Sequence, residues 1–211
     1  MKRKKRKFYL FGWLYDRSLE LFLSGMKKRI AKYIYLYSLF PALDVCCGTG
    51  KQCHLVDERR HDDEIIIGLD LDLRMMRFAV AKYPHLPFIC ADASHIPLKN
   101  MSVKGVIVSY ALHDKPPEMR KRMLEETKRL LAPEGKIILL DFEQPWNRRS
   151  RAGRFFTYLI ERMAGKEHFK NGQQFMKQGG LQSFMKYYGL VEIERHDIEI
   201  GNSSIVVAEF A

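Results

Sequence analysis

The chain has 211 residues, of which 46% are hydrophobic and 12% aromatic, and it carries a formal net charge of +11. This length suits one α/β domain with a modest addition, and the hydrophobic content excludes a disordered chain. No apolar run reaches the roughly 18–20 residues that a membrane-spanning helix needs, which argues against an integral membrane protein.

The positive charge is concentrated at the amino terminus, where residues 2–7 are all lysine or arginine. Such an arm is typical of a tether to an anionic partner, either a nucleic acid or a membrane surface, and a solvated terminus is the other interpretation. Over residues 8–39 apolar side chains recur at spacings of three and four, which predicts helices with one apolar face and a bend near Ser24–Gly25. We therefore predict a basic arm and an amphipathic helical cap over residues 1–40.

After Pro41 short apolar runs alternate with helical patterns, which is typical of parallel strands buried on both faces. The predicted strands occupy residues 42–46, 64–69, 87–90, 103–108 and 136–140, and the predicted helices occupy about 50–59, 73–82 and 117–131. A helix near 175–188 precedes two strands, 190–196 and 203–210, whose short connection allows only antiparallel pairing. The predicted fold class is α/β: a doubly wound, mostly parallel, Rossmann-like seven-stranded sheet with an antiparallel C-terminal strand, plus an N-terminal helical cap.

The strongest functional signal is the segment Ala42–Gly50, in which a strand enters a turn with glycines at 48 and 50 and a helix begins directly afterwards. Glycines let the backbone approach a ligand closely, and a helix N-terminus supplies free N–H groups and positive potential. Asp70 ends the second strand, where a carboxylate can accept hydrogen bonds from both ribose hydroxyls, and Asp92 follows the third strand. This combination predicts a nucleoside-containing cofactor.

Two cofactors fit this pattern, and the residues favour S-adenosylmethionine over a nicotinamide dinucleotide. A dinucleotide fingerprint has a third glycine to seat the pyrophosphate, and that position is Cys53 here. Asp44 places a carboxylate near the turn, which suits an ammonium group better than a pyrophosphate. An NAD-dependent dehydrogenase is therefore the least favoured interpretation.

Over about residues 43–142 the chain resembles the class I S-adenosylmethionine-dependent methyltransferases, and the segment Leu131–Lys136 resembles the family's motif before strand five. The subgroup that it resembles most is that of the ubiquinone and menaquinone biosynthesis C-methyltransferases, with phospholipid N-methyltransferases nearby. Cys46 departs from the glycine or other small residue that is usual there, and we expect altered packing rather than lost binding.

The resemblance implies S-adenosyl-L-methionine as the cofactor. The binding residues that it implies are Asp44, Gly48, Thr49 and Gly50 for the methionine part, Asp70 for the ribose, Asp92 and Ala93 for the adenine, and Ser109 for the pocket beyond strand four.

Two residues are candidates for catalysis, His113 after strand four and Tyr15 in the N-terminal cap. Methylation of a ring carbon requires a phenolic proton to be removed or polarised, and a histidine can act as general base at neutral pH. The simpler interpretation of His113 is a loop residue that caps the following helix.

The sequence predicts no metal site. The neighbouring Cys46 and Cys47 lack the two-residue gap of a zinc knuckle, and a site at Cys53 and His54 is not favoured. The four cysteines are expected to be small buried thiols in a reducing cytosol.

The Rossmann-like domain is predicted over residues 41–211, with a helical insertion at about 146–180, where substrate-covering insertions commonly sit in the family. There, arginines precede an apolar stripe at helical spacing: Arg148, Arg149, Arg151 and Arg154, followed by Phe156, Leu159, Ile160 and Met163. A basic amphipathic helix can rest on an anionic lipid surface, and packing on its own domain is the alternative.

Together these features predict a cytoplasmic methyltransferase, peripheral at the inner membrane face, with a small-molecule or lipid-like acceptor such as a quinone precursor or a phospholipid head group. One alternative is an RNA methyltransferase that uses the basic arm for phosphates, and another is an inactive S-adenosylmethionine-binding regulatory protein. Strand four is not followed by the tetrapeptide of enzymes that methylate exocyclic base amines, which makes a nucleic-acid partner less favoured. The sequence does not predict the acceptor atom or the oligomeric state.

Overall fold

The computed structural model describes residues 23–58, 61, 64–199 and 202–211. The basic arm, Tyr15 and most of the predicted N-terminal cap lie outside the described residues. The side chains of the apolar stripe between Phe156 and Met163 also lie outside the described part.

Strands alternate with helices through the first two thirds of the chain, and three helices and a β-hairpin follow. The strands are β1 (Ala42–Val45), β2 (Ile66–Asp70), β3 (Phe88–Cys90), β4 (Val103–Ser109), β5 (Leu131–Phe142), β6 (Leu190–Ile198) and β7 (Ser203–Phe210). The helices are α1 (described over 23–36), α2 (Lys51–Asp57), α3 (Leu73–Lys82), α4 (Pro117–Leu130), α5 (Arg148–Ala164), α6 (Lys166–Lys177) and α7 (Gly180–Tyr187).

The strands form one seven-stranded sheet in the order β3-β2-β1-β4-β5-β7-β6. The first five strands pair in parallel, whereas β7 is antiparallel to both β5 and β6. The predicted fold class, a mostly parallel Rossmann-like sheet with an antiparallel C-terminal strand, is confirmed. The strand order reverses between β1 and β4, so a crevice forms beyond the carboxyl ends of these strands.

Both faces of the sheet are buried, as the continuously apolar strands predict. In β4, Val106 and Val108 belong to one hydrophobic cluster, and Ile107 points to the cluster on the opposite face. In β5, Ile137 and Leu139 face the same cluster as Val106, because side chains alternate along a strand. Parallel sheets are typically covered on both faces in this way.

Helix α1 covers one face of the sheet. Met26, Ile30 and Ile34 are buried in the cluster that also contains Ile107. The described helix is assigned without interruption over residues 23–36, and the segment before the predicted bend at Ser24–Gly25 lies outside the described residues.

Two predicted boundaries in the second half of the chain are wrong. The single helix expected near 175–188 is divided into α6 and α7, because Gly179 (φ 104°) and Gly180 (φ 70°) adopt left-handed conformations. A Cβ on Gly180 would lie 2.9 Å from the carbonyl oxygen of Phe142, so the chain also needs a glycine here to pass β5. Strand β5 begins at Leu131, not near residue 136, because Leu131 already pairs with Val103.

The sheet ends at β6, which is paired on one side to β7 and shows a register shift between Glu192 and Glu194. Within the described part of the chain, no helix combines the length and the apolar character that crossing a bilayer requires.

Candidate functional site

The turn after β1 is shaped by three residues with left-handed backbones: Cys46 (φ 60°), Gly48 (φ 54°) and Gly50 (φ 73°). A Cβ on Gly50 would lie 2.7 Å from Cζ of Phe88, so this position excludes a side chain by contact as well as by conformation. The conformation of Cys46 explains why glycine suits that position in the family: a non-glycine residue is strained there.

Asp70 fixes this turn from the end of β2. Its Oδ2 accepts a hydrogen bond from the backbone N–H of Gly48 at 2.9 Å, and its Oδ1 accepts one from the N–H of Asp72 at 2.9 Å. Each carboxylate oxygen has a second lone pair, so Asp70 retains acceptor capacity toward ribose hydroxyls. Thr49, half-buried, lies in the turn that this contact holds.

A cleft of about 520 Å³ opens beside the turn, which is large enough for a nucleoside cofactor. Asp70, Asp92 and Ala93 line it, together with Cys46 and Tyr110. Asp92 accepts hydrogen bonds from the backbone N–H and the hydroxyl of Ser94, both at 2.8 Å, and these donors lower its pKa. The sequence-predicted acids of β2 and β3 therefore meet in one cleft.

Ser109 and Asp44 are placed differently from these acids. The hydroxyl of Ser109, at the end of β4, is buried and has no hydrogen-bond partner among the described residues, and Ser109 is not among the residues that line the cleft. Asp44 is 2% exposed and lies behind the turn, with Oδ2 3.5 Å from Sγ of Cys53. Burial raises the pKa of Asp44 to about 7, although Cys53 and Lys27 oppose the shift.

His113 is buried and does not cap helix α4, so the helix-capping interpretation is wrong. The N-cap residue of α4 is Pro116, with no side-chain cap. Instead Nδ1 of His113 lies 2.7 Å from Oδ1 of Asp141, and Nε2 lies 3.5 Å from Oε2 of Glu161. Burial by itself lowers the pKa of His113, but Asp141 and Glu161 outweigh it and raise that pKa to about 10.

Asp141 holds the loop after β4 in place. Its Oδ2 accepts hydrogen bonds from the backbone N–H groups of Leu112 (3.0 Å) and His113 (3.2 Å), and the carboxylate is fully buried. Arg120, 2% exposed, fastens the same loop to α6 by donating to the carbonyl oxygens of Leu112 and Asn171.

Sequence reasoning missed Asp141, Glu161 and His168 as site residues. Asp141 had a signal, since it ends a predicted strand at the same edge as Asp70. Glu161 in α5 and His168 in α6 had none, because only the packing of the helices brings them to His113. The expectation of buried thiols is also corrected: all four cysteines are free, but only Cys53 is buried and Cys90 is exposed.

Residues 42–135, which contain the turn, both cleft acids and α4, match the family model described as a methyltransferase domain. Over this segment the chain is similar to the class I S-adenosylmethionine-dependent methyltransferases. The family's cofactor is S-adenosylmethionine, which supplies an activated methyl group when it is bound. The cleft volume and the acceptors at Asp70 and Asp92 fit that cofactor.

The methyltransferase is similar to curated enzymes of quinone metabolism. It is 30% identical to 2-phytyl-1,4-naphtoquinone methyltransferase of Thermosynechococcus vestitus over 142 residues, which cover 63% of this chain and 61% of that relative. It is 27% identical to demethylmenaquinone methyltransferase of Shouchella clausii over 176 residues, which cover 80% of this chain and 73% of that relative. The match therefore spans less than two thirds of the first relative's length.

Solved structures share the fold. Magnesium protoporphyrin IX methyltransferase of Synechocystis with bound SAH superposes with a TM-score of 0.62 at 15% identity, covering 89% of this chain and 83% of that one. A SAM-dependent methyltransferase of Aquifex aeolicus gives a TM-score of 0.55 at 14% identity, covering 79% and 80%. At these identities the likeness concerns the fold alone.

Proposed function

We propose that this enzyme methylates a quinone-type or lipid-like small molecule that it takes from an anionic membrane surface. The names of both curated relatives support a quinone-type acceptor. The structural observation that supports the proposal is helix α5. Exposed aromatic and basic side chains lie around the start of α5, and Glu161 near its end contacts His113.

The start of α5 and the residues around it combine exposed aromatic and basic side chains. Trp146 is 43% exposed and Phe155 is 61% exposed, while Arg148, Arg149 and Arg151 are all exposed. Aromatic residues beside arginines are typical of a helix that lies in the interface of an anionic bilayer. Each basic residue near such a surface contributes about 1 kcal/mol before screening.

The same helix carries Glu161, whose Oε2 lies 3.5 Å from Nε2 of His113. If the start of α5 rests on a membrane, the end of the same helix lies beside His113. We propose that the insertion at about 146–180 covers the acceptor and that His113, whose carboxylate partners favour its protonated form, polarises the acceptor's hydroxyl group. Tyr15 remains a second candidate, and it lies outside the described residues.

Within the proposed reaction the chain itself has three tasks. The turn at Gly48–Gly50 and the acids Asp70 and Asp92 would hold the cofactor. The loop that Asp141 fixes would direct His113 toward the acceptor, and the insertion would cover the acceptor.

Labelled methyl transfer from S-adenosylmethionine tests the acceptor class. The enzyme is offered a demethylated naphthoquinol in phosphatidylglycerol vesicles, phosphatidylethanolamine, and tRNA, and the products are separated by extraction. We expect label in the quinone fraction, and label in the phospholipid would narrow the proposal to the head group. Preferential labelling of tRNA, or cofactor binding without transfer to any acceptor, would overturn it.

Vesicle co-sedimentation tests the membrane surface separately. The triple variant Arg148→Ala, Arg149→Ala, Arg151→Ala should bind phosphatidylglycerol vesicles at least tenfold more weakly than the unaltered protein. The matched control removes three exposed basic residues elsewhere, Arg77, Lys99 and Lys104, and should bind nearly as well as the unaltered protein. Equal losses in the two triple variants would mean that net charge, and not the α5 surface, drives binding.

A further inference from the structure

Three side chains from separate elements lie together near the carboxyl end of β4: His113 after β4, Glu161 in α5 and His168 in α6. Each offers one ligand atom, and the three atoms lie within 4.8 Å of one another. We propose that these three residues hold a divalent transition-metal cation of the zinc class, with an open fourth position.

The first argument is that His113 is prepared as a ligand. Its Nδ1 faces Oδ1 of Asp141 at 2.7 Å, which leaves Nε2 directed to the cluster. A carboxylate behind the distant nitrogen is the usual arrangement for a metal-binding histidine, because it fixes the ring's orientation and makes the ligand nitrogen more basic. The backbone N–H groups of Leu112 and His113 hold Asp141 in turn, so the ligand is fixed before any metal binds.

The second argument is the spacing of the cluster's ligand atoms. Oε2 of Glu161 and Nε2 of His168 lie 2.8 Å apart, yet both atoms are buried and neither forms a well-directed hydrogen bond within the described part of the chain. Oε2 of Glu161 is 3.5 Å from Nε2 of His113. Ligand atoms around a tetrahedral zinc ion with bonds near 2.0–2.1 Å are separated by about 3.3 Å, between these two distances.

The third argument is that the fold leaves room beside the cluster. Gly172 in α6 faces it, and a Cβ at that position would lie 3.1 Å from Oε2 of Glu161 and 3.9 Å from Cδ2 of His113. On the Glu161 side of the cluster, a cavity of about 20 Å³ is lined by Glu161, Gly172 and Arg154 among others, which is room for one water molecule or one ligand oxygen. A glycine inside a helix costs about 1 kcal/mol relative to alanine, so the room beside the cluster lowers the intrinsic stability of α6.

The donor set determines the class of metal. Two imidazole nitrogens and one carboxylate oxygen suit zinc and other first-row divalent ions, and three protein ligands with one free position are typical of catalytic sites. Asp114, which lines the cofactor cleft, lies 3.7 Å from Nδ1 of His168, so the cluster adjoins the cleft. If the proposed function holds, a cation here would polarise the acceptor's hydroxyl oxygen; the binding of the metal itself does not depend on that function.

Metal titration of the chelator-treated, full-length protein tests the site without any activity measurement. Calorimetry with Zn²⁺ should give one equivalent bound at micromolar or tighter affinity, and Co²⁺ should give visible absorption bands of a four- or five-coordinate site. His168→Ala and Glu161→Gln should each weaken binding at least 100-fold. Both residues lie on the insertion, so we expect folding to be retained, as circular dichroism of the metal-free variants would show.

His54→Ala is the matched control, because Cys53 and His54 form the competing metal site that sequence alone suggests. Its Zn²⁺ affinity should equal that of the unaltered protein. The inference is overturned if no stoichiometric metal binds, if binding persists in both insertion variants, or if it is lost in His54→Ala. These outcomes leave the acceptor assays of the preceding section unaffected, so the two proposals fail separately.

Discussion

The cofactor cleft and the His113 cluster lie at the same edge of one sheet, yet they are built in opposite ways. The cleft is lined by residues at the ends of successive strands, and the turn beside it is held by the hydrogen bond from the Gly48 backbone N–H to Asp70. The cluster joins side chains 55 residues apart, His113 and His168, and it is held by side-chain contacts. A site made by backbone leaves a local motif in the sequence, whereas a site made by helix packing leaves none.

We expect the largest effect from Gly50→Ala, which changes the turn beside the cofactor cleft. The new Cβ would meet Phe88 at 2.7 Å, and the φ of 73° strains any side chain. We expect a loss of about 2–4 kcal/mol in the free energy of unfolding and more than tenfold weaker cofactor binding, measured by urea denaturation and calorimetry. The control is Gly25→Ala in α1, where no atom lies within 4 Å of the Cβ and stability should not fall. Equal effects of the two substitutions would contradict the steric argument.

Asp141→Asn tests the His113 cluster, which is held together by contacts between side chains. The amide cannot accept all the hydrogen bonds that the buried carboxylate accepts from the Leu112 and His113 N–H groups and the imidazole. A destabilisation of about 2–4 kcal/mol is expected in urea denaturation. Cofactor affinity should change far less than stability, and a parallel collapse of both would mean that the two regions are not separate units.

Asp44→Asn tests the electrostatics behind the cleft. Because the pKa of Asp44 is raised to about 7 from 3.8, the unliganded protein is stabilised by the bound proton at low pH and loses that contribution as pH rises from about 4 to 7. A cationic cofactor favours the ionised carboxylate, so its affinity should rise by up to tenfold per pH unit below pH 7 and level off above it. Calorimetry from pH 5.5 to 8 should show this slope in the unaltered protein and a flatter one in the variant. An identical slope in both would exclude Asp44 as its source.

Asn171→Ala should have the smallest effect. Its side-chain Nδ2 donates to the carbonyl oxygen of Asp114 at 2.8 Å, one of several ties between α6 and the loop after β4. Removing one such bond should cost about 1 kcal/mol, because the backbone contact of the same residue with Arg120 remains. A loss of 3 kcal/mol or more in thermal or urea unfolding would show that this bond alone fastens the insertion.

The features that could be predicted from the sequence are those formed by local segments of the chain. The parallel strands, the Gly48–Gly50 turn and the meeting of Asp70 with Asp92 could be predicted, because strand periodicity and glycine spacing are local. The break between α6 and α7 could not, since Gly179 and Gly180 resemble ordinary glycines until β5 passes beside them. Glu161 and His168 could not be predicted as partners of His113 either, because their meeting depends on how α5 and α6 pack.

The outer strand β6 has a consequence for how the protein behaves at high concentration. A nine-residue edge strand with free backbone groups is a template on which another chain can add a strand. Here the register shift between Glu192 and Glu194 interrupts the flat ladder, and Arg195 and Asp197 place further charges along it. Val191 and Ile193 are half-exposed, and without these charges they would favour association of this edge with another chain. The irregular, charged border thus protects against ribbon-like aggregation.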